Sequence, residues 1–325
     1  FGYKQALSVD EETLSYIAEI AGNTRLLALN CDSKNETKGT IDERLLNWAK
    51  GQLDNAQKVG ARVIAMCHYP IIPSVPVFDL VGDAHVKNWR EIATFLADNG
   101  VKFIFTGHTH MMNIAKMTTA KGNDFYDINT ASAVGYPAVM RKVKMTDSEV
   151  FVDSVKLQNF DWDLQGKTVD EYTKENFLQF LNAIFDSMAY DIPKLAELST
   201  SFSMTPELVY KLEKVLVPFG KFLQKATFET IGKIFGISKY VHESIKDRNV
   251  KDFLLECVTN VFVGDEPYNP YTPEYLAIWA LFNKRVKKVL KPIKGAEKIE
   301  EILDIILDGV LYDAPPGDWK GTFAK

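Results

Sequence analysis

The residues best equipped for chemistry are Gly107-His108-Thr109-His110, placed directly after the apolar run 101–106. A strand that ends in glycine and then delivers two imidazoles one residue apart puts two nitrogen donors on a loop at the strand's carboxyl end, where open α/β sheets build their sites. The chemistry on offer is metal binding. A second segment, Arg62-Val63-Ile64-Ala65-Met66-Cys67-His68-Tyr69-Pro70, is also a short apolar run that stops at a histidine and is then broken by proline. It reads as a buried strand emptying into a loop. A lone histidine after a strand is ordinarily a satisfied polar residue, and Gly-His-x-His alone is a weak motif. What favours a metal is that His68 occupies the same topological position as His108 and His110.

The elements that must position these histidines follow from the spacing around them. Between the two strands, Trp89, Ile92, Ala93 and Leu96 recur at helical intervals before Asn99-Gly100 closes the segment. Strand, helix and strand with a right-handed crossover make the strands parallel and carry His68, His108 and His110 to one sheet edge. Upstream, Thr40-Ile41-Asp42-Glu43 has a capping-box pattern opening a helix with Leu45, Leu46, Ala49 and Leu53 on one face. Ser8-Val9-Asp10-Glu11 has the same pattern, and 26–30 reads as a strand. After His110 the pattern becomes antiparallel strands at 112–118, 124–130, 138–145 and 149–157, the second half of a two-sheet sandwich. Tyr136-Pro137 reads as punctuation at a strand entry.

From Thr168 the signals are helical to the end of the chain, with caps at Thr168, Thr205 and Thr272. The division is therefore 1–160 for an α/β domain and 165–325 for an all-helical one. In the helix from Pro273, the stripe Tyr275, Trp279, Phe282, Val286 and Val289 is expected to be buried. The basic run from Lys284 to Lys294 reads as a solvated face that complements the helix dipole, and His242 has no partner motif.

With 325 residues, 46% hydrophobic and 25% charged, there is room for two cores. No apolar stretch approaches the roughly 20 residues of a membrane span. A net charge of −5 supplies no overall positive field for a polyanion, which argues against bulk nucleic-acid binding. Cys31, in a strand, together with Cys67 and Cys257, reads as a small buried residue rather than part of a disulfide framework. Strand alternation puts Cys67 on the face opposite His68.

A strand-end His68 with Pro70 two residues on, then Gly107-His108-Thr109-His110 after the next strand, resembles the last two metal motifs of the calcineurin-like metallophosphoesterases. The resemblance covers residues 1–157. It implies an α/β fold, part of a four-layer α/β/β/α sandwich, followed here by an all-α domain. It also implies two divalent transition metals (Mn, Fe or Zn) side by side, one on His68 and His108 and the other on His110. A metal-bridging hydroxide would then hydrolyse a phosphodiester or phosphomonoester of a small substrate, nucleotides included.

The family's earlier motifs, Asp-x-His, Gly-Asp and Gly-Asn-His, are not found ahead of His68. Gly22-Asn23-Thr24 has threonine in the histidine position, and Asp83-Ala84-His85 falls in the wrong order, so Asp83 and His85 read as ordinary loop residues. No residue is thus a candidate general acid, and no substrate-binding residue is identifiable. The chain, which opens at Phe1 without methionine, reads as carrying half of a two-metal site, with the missing upstream segment expected as its partner. Resemblance to an exported bacterial branch of the family implies an extracellular or cell-envelope setting, with the cytoplasm as the alternative. Two other readings stay open: a non-catalytic binding or scaffold protein with a vestigial site, and a single-zinc protein using the three histidines with a carboxylate such as Asp83.

Overall fold

The computed structural model describes residues 3–32, 39–79, 84–200, 205–292, 297–313 and 317–324. It divides into two units, Phe1–Lys156 with Asp318–Lys325, and Leu157–Gly317.

The first unit is built on a seven-stranded mixed sheet. Its strands are β1 (Ala6–Val9), β2 (Tyr16–Ala21), β3 (Thr24–Leu29), β4 (Arg62–Cys67), β5 (Phe103–Thr106), β6 (Asn113–Thr118) and β7 (Asp124–Asn129), in the spatial order β1-β2-β3-β4-β5-β7-β6. Strands β3, β4, β5 and β7 run parallel, and β1, β2 and β6 are antiparallel to their neighbours. The period of two divides the side chains between two cores. Leu27, Leu29, Val63, Ala65, Cys67, Ile104 and Phe125 pack against helices α1 (Glu43–Lys58) and α2 (Trp89–Asp98). On the opposite face, Phe103 and Ile128 meet Val150 and Val152 of a second, three-stranded sheet. That sheet consists of β8 (Val139–Met145), β9 (Glu149–Lys156) and β10 (Gly321–Ala324), all antiparallel.

The unit is therefore α/β, layered helix, sheet, sheet. Three of the four expected layers are present, and its described residues contain no α-helix besides α1 and α2. Strands β6 and β7 extend the first sheet instead of starting the second, because β7 pairs in parallel with β5. The chain does not stay helical to its end, since Gly321–Ala324 returns as the edge strand beside β9.

Two expected caps are corrected. Helix α1 is capped by Asp42, whose carboxylate accepts the Leu45 N–H, rather than by Thr40. Ser8 begins no helix, because Ala6–Val9 is already paired with β2; Asp10 instead closes the following turn, accepting from Thr13 and pairing with Arg44. Gly22-Asn23 is the turn of the β2–β3 hairpin, both residues at positive φ, as a two-residue hairpin loop requires.

The second unit is helical: α3 (Val169–Tyr190), α4 (Ile192–Ser199), α5 (Pro206–Leu223), α6 (Phe228–Ile234), α7 (Val250–Val263), α8 (Pro273–Leu281), α9 (Lys287–Leu290) and α10 (Glu297–Ile306). Thr168 and Glu171 form the expected capping box of α3. The stripe from Tyr275 does not stay buried. A π-helical turn at Phe282–Val286 adds residues to the turn and rotates the row outward, so Tyr275 is buried while Val289 is 70% exposed. The basic run is partly engaged, with Arg285 donating to the Gly236 carbonyl, Lys287 paired with Asp304, and Lys284 over the Trp279 ring.

Helices α3 and α5 touch through backbone at Gly220. A Cβ there would lie 2.7 Å from the Ala189 nitrogen and 2.8 Å from the Met188 carbonyl carbon, both main-chain atoms unable to swing aside. Gly220→Ala gains about 1 kcal/mol of helix propensity but forces the helices apart, at a cost of about 1–3 kcal/mol. A lowered urea midpoint is expected; a raised one would show that the helices separate freely.

Candidate metal centre

The site sits where β4 and β5 end side by side. The Gly107 N–H donates to the His68 carbonyl at 3.0 Å, fastening the two loops together at the point where each releases a histidine. His68 Nε2 then lies 3.1 Å from His108 Nδ1, with the rings near perpendicular at 78°. The loop turns sharply: His108 and His110 have φ of 66° and 58°, left-handed backbone that histidine tolerates better than most residues, and Thr109 N–H donates back to the Gly107 carbonyl. The Tyr69 ring, 3% exposed, packs on the His108 imidazole with centroids 3.9 Å apart. His68 and His110 are solvent-exposed and His108 half-buried. Of the three histidines singled out by sequence, the fold brings His68 and His108 into contact; His110 is outside that contact.

The 3.1 Å separation allows a metal test. Two nitrogens each about 2.1 Å from a shared ion lie about 3.0 Å apart at a right angle and about 3.4 Å apart at the tetrahedral angle. The imidazole pair, which is also within hydrogen-bond distance, falls between these limits, so its spacing is compatible with one edge of a coordination shell, and imidazoles suit zinc, iron, copper or nickel. Among the described residues, no group of three His, Cys, Asp or Glu able to hold an ion is present.

Sequence reasoning missed the residues beneath the histidines. Asp127 and Asn129, each 1% exposed, lie on the same face of β7 as the core residue Phe125. The available signal was polar residues in the core-facing phase of a strand, where an apolar side chain is the ordinary choice. Asp127 accepts the N–H groups of Ile71 and Ile72 and the Thr106 hydroxyl. Burial pushes its carboxyl up to about 7, outweighing these three donors. Cys31, just beyond β3, and Cys67 are buried together, their Sγ atoms 2.9 Å apart as free thiols.

The loop residues resolve differently. Asp83 lies outside the described residues. His85 lies in a loop as expected, but is buried there at 6% exposure, with Nδ1 lacking a hydrogen-bond partner and Nε2 3.7 Å from Asp79. His242 caps a short turn, accepting the Ser244 N–H. Burial holds the His85 pKa below its ordinary 6.5, opposed by the Asp79 charge and assisted by Arg90. The folded state therefore binds fewer protons than the unfolded chain once pH drops below 6.5, and stability from this group is lost as pH falls through its depressed folded pKa. His85→Gln is expected to flatten the pH dependence of unfolding free energy just below pH 6.5. An unchanged slope in denaturant titrations would remove His85 as its source.

No protein-family model matches the chain, and no curated protein matches it. Among solved structures it is similar to a dimetal phosphatase from Danio rerio, at 14% identity and a TM-score of 0.36, over 45% of this chain and 60% of that one. At that level the likeness assigns nothing to this chain.

Proposed function

We propose that the chain contributes to a metal-dependent phosphoesterase that hydrolyses a phosphodiester or phosphomonoester of a small molecule. The observation that carries this reading is the 3.1 Å approach of His68 Nε2 and His108 Nδ1 at the carboxyl ends of adjacent parallel strands. It is joined by the motif spacing that resembles the calcineurin-like family. In this reading His68 and His108 hold one divalent metal and His110 a second. A divalent metal supplies Lewis acidity, polarising phosphoryl oxygens and making bound water more acidic. The chain's own contribution is orientation. A neutral His68 offering Nε2 keeps its proton on Nδ1, and a neutral His108 offering Nδ1 keeps its proton on Nε2. Tyr69 covers one face of the His108 ring and restricts its rotation.

The test is hydrolysis of bis-p-nitrophenyl phosphate and p-nitrophenyl phosphate by the full product of the gene, before and after chelation. Turnover that chelation abolishes and Mn²⁺ or Zn²⁺ restores is the expected result. Turnover indifferent to chelation, or none with metal supplied, would overturn it. One observation favours a second reading, a non-catalytic binding protein with a vestigial site: the described residues provide no three-ligand group.

A further inference from the structure

Two buried side chains on β7 each tie the loop after His68 to the β5 end of the site, Asp127 at the last residue of β5 and Asn129 within the loop that follows it. Asp127 Oδ2 accepts the N–H of Ile71 at 2.6 Å and of Ile72 at 2.9 Å, in the loop that follows His68. Its other oxygen, Oδ1, accepts the hydroxyl of Thr106 at 2.5 Å, two residues before His108. Asn129 repeats the arrangement one strand period later. Its Nδ2 donates to the Ser74 hydroxyl at 2.7 Å, in the His68 loop, and to the Thr109 hydroxyl at 2.8 Å, between His108 and His110. The Ser74 and Thr109 hydroxyls are themselves 3.3 Å apart.

We infer that Asp127 and Asn129 are positioning residues that hold the His68 loop and the His108–His110 loop in a single register, so that the imidazoles of His68 and His108 face each other. A carboxylate serving only the backbone of the His68 loop would not need its second oxygen on Thr106, the last residue of the strand that leads into the other loop. The Asn129 carboxamide also keeps one polar atom, Oδ1, buried without a partner while its amide spans two hydroxyls. Either amide orientation leaves one atom unpaired, which a purely space-filling residue such as leucine would avoid. Thr109 stands between the two histidines of its loop, so a shift at Asn129 passes directly to both. The inference deepens the proposed metal function and rests on it only for what the imidazoles bind; the coupling of the loops is independent of metal.

The test uses the full chain with Co²⁺ alone as probe, thermal unfolding as a check on folding, and the imidazole ¹⁵N signals of His68 and His108 in metal-free protein. Asp127→Ala is expected to weaken Co²⁺ binding about 10- to 100-fold, the size typical of lost supporting contacts around metal ligands, and to shift the imidazole signals. Asp127→Asn, which keeps a carbonyl for the loop N–H groups, is expected to recover most of both. A folded Asp127→Ala protein with wild-type affinity and unchanged imidazole signals would overturn the inference. Should that variant fail to fold, Thr106→Val and Thr109→Val each remove one tether; a several-fold loss supports the inference and wild-type behaviour in both overturns it. If the wild-type chain binds no Co²⁺, the metal reading fails by itself. The imidazole signals then decide the positioning role: altered in Asp127→Ala supports it, unaltered overturns it.

Discussion

His108→Asn is expected to weaken Zn²⁺ or Mn²⁺ binding by at least about 100-fold, more than removal of a supporting contact costs, while leaving the fold in place. The substitution is chosen for the backbone. His108 has φ of 66°, where alanine is strained and asparagine is tolerated, so the variant removes the imidazole without disturbing the turn. The side chain is half-buried and its ring packs on Tyr69, so the stability loss should stay near 1 kcal/mol, typical of partly exposed positions. His68→Asn should lose binding to a similar degree, since each imidazole supplies one nitrogen of a pair 3.1 Å apart. Equilibrium dialysis with metal analysis measures both. Wild-type affinity in either variant would remove that histidine from the site.

Arg141→Met is expected to lower stability by about 3–5 kcal/mol, the range found when a buried charged group is removed from its partners. Arg141 leaves β8 and places its guanidinium among acceptors from four other segments. Nη1 donates to the Ser154 hydroxyl and to the Asp318 and Trp319 carbonyls, and Nη2 to the Asn129 and Asn113 carbonyls. It thereby joins both sheets to the returning C-terminal segment, and does so at the residue whose side chain supports the histidine loops. Burial pulls its pKa down to about 10, which leaves it charged at neutral pH. Methionine fills much of the space but strands the carbonyls without these donors. Arg141→Lys should recover part of the loss, as an ammonium has three donors without the planar fork. Urea denaturation gives the values, and a loss below about 1 kcal/mol for Arg141→Met, the scale of an ordinary surface change, would contradict the network.

What could be read in advance was set by local rules. The parallel β4–α2–β5 unit followed from two apolar runs, a helical spacing between them and the handedness of crossovers, and it put His68 and His108 at one edge. The hairpin and strand boundaries from 113 to 156 were similarly local. The misses involve partners distant in sequence. Nothing near residue 321 announces pairing with β9, and strand β7 had to be placed beside β5 before it could join the first sheet. Ser8 looked like a helix cap because its neighbours fit the pattern, but pairing with β2 overrode propensity. Asp127 and Asn129 stood out only as polar residues in a core-facing strand phase, because the loop they tie to β5, the one after His68, lies more than 50 residues earlier. The late shift in the Tyr275 stripe came from a π turn, which adds to the helical repeat without any marker such as proline or glycine.

Anomalous diffraction from crystals of the chain soaked in Zn²⁺, recorded at the zinc edge, would locate an ion bound by the histidine pair. A peak is expected about 2.1 Å from both His68 Nε2 and His108 Nδ1, the ordinary zinc–imidazole distance. A map with no peak between them at saturating zinc, or with its peak at other residues, would contradict metal binding by the pair.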